Sequence, residues 1–102
     1  MKKKEKLVDI VSLAKDLIIK GSYAISKHAY VRQGERSMNL GDIKNIIFTG
    51  YHEKRKDQYK EEFQDWSYAI KGSTLDGEQA RVCITFIEKV RFIVITVIRL
   101  EV

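Results

Sequence analysis

The sequence predicts an α+β domain in which N-terminal helices pack on a three- to four-stranded antiparallel sheet. Apolar residues recur at three- and four-residue spacing as far as Gly50, and from Tyr51 onward the period becomes two. Two runs rich in Val, Ile, Phe and Thr, 79–87 and 91–99, read as central strands, apolar on nearly both faces. Asp76-Gly77, between the strand-like 66–73 and the first of these runs, is a strong hairpin signal. With 102 residues the chain suits one domain and one core.

The spacing of Leu7, Ile10, Val11, Ala14, Leu17 and Ile18 predicts a helix over 5–20, stopped by Gly21. Residues 1–21 read as a helical extension of the domain that fills 22–102. Ser26 is placed to cap a second helix running to about Ser37, with Ile25 and Tyr30 at hydrophobic-staple spacing. Asn39 reads as the next cap, with Asp42 three residues on and Met38 and Ile43 repeating the staple. Leu40, Ile43, Ile46 and Ile47 form that helix's apolar stripe, and Gly50 ends it. The polar stretch 51–60 suits an edge strand or an arm.

Composition narrows the function. There is no proline, one cysteine and two histidines, so neither a disulfide framework nor a zinc finger can be built from this chain alone. No apolar run approaches the length of a membrane helix, and no signal-peptide core follows the Lys-rich start. A cytoplasmic protein is the expectation. Net charge is +5, and residues 20–60 carry nine bases against four acids, a surface suited to a polyanion or simply to solvent. A phosphate-binding loop, a dinucleotide fingerprint and the common zinc motifs are absent, so neither cofactor nor metal is expected.

Within the second helix, His28, Arg32 and Arg36 share one face, and Glu35 can reach Arg32. A neutral imidazole flanked by guanidinium groups suits acid–base work on a phosphate. Arg81 and Arg99, on the last two strands, would complete a cationic pocket if they face His28. Tyr51 and Tyr68 are candidate stacking residues or proton carriers, and Lys54, Arg55 and Lys56 a phosphate-binding run. The same residues also fit surface ion pairs and ordinary core packing. Cys83 reads as a buried, inert thiol and His52 as exposed.

The run Ser26-x-His28-Ala29-x-x-Arg32-x-x-Glu35-Arg36, followed by Asp42-Ile43 and Gly50, resembles the bacterial domain-of-unknown-function family 4258. The ending Val94-Ile95-Thr96-Val97-Ile98-Arg99 is similar to that family's last strand. Gln33 and the pair Ser37-Met38 depart from the family's usual residues. The resemblance implies a fold like the RelE/BrnT toxins, which are metal-independent endoribonucleases paired with an antitoxin. It implies RNA as substrate and a cognate antitoxin as partner. His28 would be the acid or base, Arg32, Arg36, Arg81 and Arg99 the phosphate stabilisers, and Glu35 a residue that orients an arginine. The alternative is a non-catalytic RNA- or protein-binding module that keeps this fold. Convergence of His28 and at least two arginines on one concave site would mark the enzyme; dispersal into ion pairs would mark the module.

Overall fold

The computed structural model describes residues 3–35 and 38–100, with the backbone alone at 32–35. The chain runs through helix α1 (Ile10–Ile19), strand β1 (Tyr23–Ile25), helices α2 (Lys27–Glu35) and α3 (Leu40–Thr49), and short strands β2 (Tyr51–His52) and β3 (Gln58–Lys60). The long strands β4 (Asp65–Ser73), β5 (Gln79–Ile87) and β6 (Arg91–Arg99) follow. The α+β class is as expected, but the sheet is larger and mixed. It has six strands in the order β1-β6-β5-β4-β2, with β3 also pairing β4. β1 lies parallel to β6, whereas β4, β5 and β6 form the antiparallel meander. The three additional strands span only two or three residues each, too short for a period of two to register.

One sheet face forms the core. Tyr68 and Ile70 on β4, Val82 and Ile84 on β5, and Val94 and Val97 on β6 pack against Ile10, Ala14 and Leu17 of α1 and Ile43, Ile46 and Ile47 of α3. All of these are almost fully buried.

Helix α1 starts at Ile10, five residues later than its periodicity suggests. The reason is competition for the backbone: Trp66 Nε1 donates to the Lys4 carbonyl (2.6 Å), and Leu7 N donates to the Tyr68 hydroxyl (2.8 Å). Residues 3–8 thus run as a non-helical strap, while Leu7 still reaches the core. Gly21, at φ 71°, closes α1 as expected, with Gly21 N donating to Ile18 O and Ser22 N to Leu17 O. At α2, Ala29 N donates to Ser26 Oγ, but Tyr30 is 67% exposed and packs no staple. Asn39 caps α3 in a reciprocal box with Asp42. Asp42 also accepts from Leu75 N, tying α3 to the β4–β5 hairpin.

Two glycines set the spacing between α3 and β4. A Cβ on Gly72 would lie 2.1 Å from the Ile46 carbonyl oxygen, and one on Gly50 would lie 2.4 Å from the same atom. Only glycine allows the end of α3 to touch the strand so closely.

Candidate functional site

Ser26 ends β1's path along β6, with Ser26 N donating to Val94 O and its hydroxyl to Ile95 O (3.2 Å). Because Ser26 also caps α2, the first turn of that helix is fixed beside β6. His28 is exposed there and borders a trough of about 540 Å³. The floor of the trough is mainly apolar: Ile87 and Ile93 with Ile95, the extra residue where the β5–β6 register shifts, and buried Thr85 among them. Phe63, from the β3–β4 turn, stands at its rim. Thr85 and Ile93 are direct cross-strand partners that alternate with core residues, so the trough lies on the sheet face opposite α1 and α3.

The strand arginines do not converge. Arg81 sits between buried Ala80 and Val82 and is paired across the ladder with Lys71, so it projects from the trough-bearing face. Arg99 is the cross-strand partner of Ala80 and projects from the other face, where it pairs with Glu78. The expectation of one cationic pocket formed by both is corrected: they alternate onto opposite sides of the sheet. Arg81 instead forms a fork with buried Glu53, Nε to Oε1 at 2.6 Å and Nη2 to Oε2 at 3.2 Å. Hydrogen bonding from Arg81 holds the Glu53 carboxyl below the usual range against the opposing effect of burial; the charges of Lys71 and Arg55 act in the same direction as Arg81. Lys71, the cross-strand partner of Arg81, projects from the same face. Lys54, Arg55 and Lys56 form an exposed 3₁₀ turn beside them, and Tyr51 is 57% exposed.

Arg32 and Glu35 lie on α2 with side chains outside the described residues, and Arg36 lies outside them altogether. Tyr68 is placed in the core, 1% exposed, against Phe86 and His52, and so offers no face to a base. Burial also pushes the Tyr68 hydroxyl and the Cys83 thiol up, each away from easy ionisation, although Cys83 is half-buried rather than the buried residue expected.

His52 is not the exposed residue expected. Its Nε2 lies 2.7 Å from Asp57 Oδ2, and Lys6 Nζ lies 2.9 Å from the same oxygen. Asp57 Oδ1 accepts from Ala69 N, and the Asp57 side chain has no exposed surface. One carboxylate thus joins the strap, β2 and β4. The only sequence signal is an Asp five residues after a His within a polar run, and that spacing has no meaning until the 3₁₀ turn folds it back. The strap is fixed further by the Lys4–Asp65 ion pair and by the Lys6 ammonium 4.8 Å from the Trp66 ring centre. Among the described residues no His, Cys, Asp or Glu group has metal-site geometry. No described helix is long and apolar enough to cross a membrane.

The family signature now divides by role. Ser26 caps a helix, Ala29 and Ile43 are core, Asp42 bridges α3 to a hairpin, and Gly50 permits close packing. His28 has none of these structural duties and faces the trough. The chain belongs to the family described as Domain of unknown function (DUF4258), which matches residues 25–99. No curated protein and no solved structure matches the chain.

Proposed function

We propose that this protein is an RNA-binding module that engages RNA through the sheet face opposite α1 and α3. The cation excess on this face carries this reading: Arg81 and Lys71 are cross-strand neighbours there, and the exposed turn Lys54-Arg55-Lys56 directly follows the Glu53 that Arg81 holds. Such a surface attracts phosphates and releases their counterions. Affinity should therefore fall steeply with salt. Reversing the charge of Lys54, Arg55 and Lys56 together should weaken binding about equally for all RNA sequences and flatten that salt dependence. Titrations at several salt concentrations measure both effects; salt-insensitive binding, or none, would refute the module.

A second reading, a toxin-type endoribonuclease similar to RelE/BrnT proteins and held by an antitoxin, is favoured by His28 on the rim of the trough. A ribose 2′-hydroxyl presented there could lose its proton to the imidazole and attack the adjacent phosphate, breaking the bond to the 5′-oxygen of the next nucleotide, which takes up a proton, and leaving a 2′,3′-cyclic phosphate. Loss of one acid–base group commonly costs about 10²–10⁴-fold in rate. His28→Ala should then abolish cleavage of labelled RNA with the melting temperature unchanged. Cleavage that survives in the folded variant would exclude His28 as the catalyst. The ion-paired states of Arg81 and Arg99 favour the module over the enzyme.

A further inference from the structure

The two ends of the trough-bearing face differ in chemistry. At one end Arg81 and Lys71 stand side by side across the ladder, and the exposed Lys54-Arg55-Lys56 turn follows the Glu53 that Arg81 holds. At the other end Phe63 and His28 stand over the apolar floor at Ile87, Ile93 and Ile95. Arg81 and Thr85 lie on the same strand and the same face, four residues apart, which places the two ends about 13 Å from one another. The charges at the trough are balanced or acidic: Lys4 is paired with Asp65, and Glu88 joins the lining. A phosphate is therefore favoured at the basic end, and a neutral ring is favoured in the trough.

We propose, building on the RNA-binding reading above, that the trough receives an unpaired base of single-stranded RNA while phosphates further along the same strand rest at Arg55 and Lys71. Apolar walls with an aromatic edge bind the faces of a base, and a few polar groups orient it. Phe63, 42% exposed, supplies the ring, and the His28 imidazole and Thr85 hydroxyl supply the polar groups. A base locked in a duplex cannot enter the trough, so the protein would select single strands.

The experiment compares binding of a fluorescent mixed-sequence RNA oligonucleotide, the same oligonucleotide annealed to its complement, and heparin. It uses the wild type, Phe63→Ala and Phe63→Trp, with thermal melts confirming that each variant is folded. Phe63→Ala should weaken single-strand binding about tenfold, the loss expected for one stacking contact. Duplex and heparin binding should be unchanged, and Phe63→Trp should restore the single-strand affinity. If Phe63→Ala binds the single strand like the wild type, or the duplex binds as tightly as the single strand, the trough takes no base. An apolar segment of a protein partner then becomes its natural occupant, while the basic end remains an RNA site. If none of the three polyanions binds, both this inference and the RNA-binding reading fall.

Discussion

Asp57→Ala should lower stability by about 3–5 kcal/mol, the usual cost of removing one partner from a buried ionic cluster. The change leaves the Lys6 ammonium, the His52 ring and the Ala69 N–H without the carboxylate they share. For a chain of this size the melting temperature should fall by roughly 15 °C or more. Lys6→Ala should cost far less, about 1 kcal/mol, because the Lys6 side chain is 36% exposed and water can replace part of what it loses. Thermal melts of the two variants side by side give the measurement. Equal, small shifts would show that the cluster is not a keystone of the fold.

Gly72→Ala should be comparably damaging. One added methyl would lie 2.1 Å from the Ile46 carbonyl oxygen and 2.9 Å from Gly50 Cα, both backbone atoms that no side-chain rotation can clear. α3 would have to lift from β4, opening the contacts of Ile46 and Ile47 with the sheet. Overpacking of a core typically costs about 1–3 kcal/mol, and a clash of backbone on backbone belongs at or above the top of that range. Gly77→Ala provides the contrast: it has a left-handed φ of 83° but open space around it, so only conformational strain of about 1 kcal/mol applies. Urea unfolding of the pair ranks them, and a Gly72→Ala midpoint near that of the wild type would contradict the packing described here.

These two residues also show what the sequence could and could not convey. Local rules read well from it. The Ser26 and Asn39 caps, the Gly21 stop, the Asp76-Gly77 hairpin and the apolar stripes of α1 and α3 each depend on residues a few positions apart. Features made by distant partners did not. Gly72 matters because Gly50 and Ile46 lie against it, and Asp57 because Lys6, His52 and Ala69 converge on it. Even the helix start at Ile10 was displaced by Trp66 and Tyr68, some sixty residues further along the chain. The site divided in the same way. The place of His28 in the first turn of α2 was legible from the Ser26 cap; the trough beside it was not. Whether Arg81 and Arg99 meet depended on strand register, which placed them on opposite faces.

The parallel pairing of β1 with β6 has a consequence for how the molecule assembles. Tyr23, Ala24 and Ile25 align with Phe92, Ile93 and Val94, so the earliest strand in the chain is completed by the latest. A growing polypeptide can form α1 and the α3 cap from neighbouring residues, but that edge of the sheet has no template until residue 94 has been synthesised. Pairings of such long sequence separation slow folding because a large loop must close before any contact rewards it. Until then Tyr23 and Ile25 remain without the strand that covers them, and the nascent chain passes through an interval in which its first strand is open to aggregation or to a chaperone.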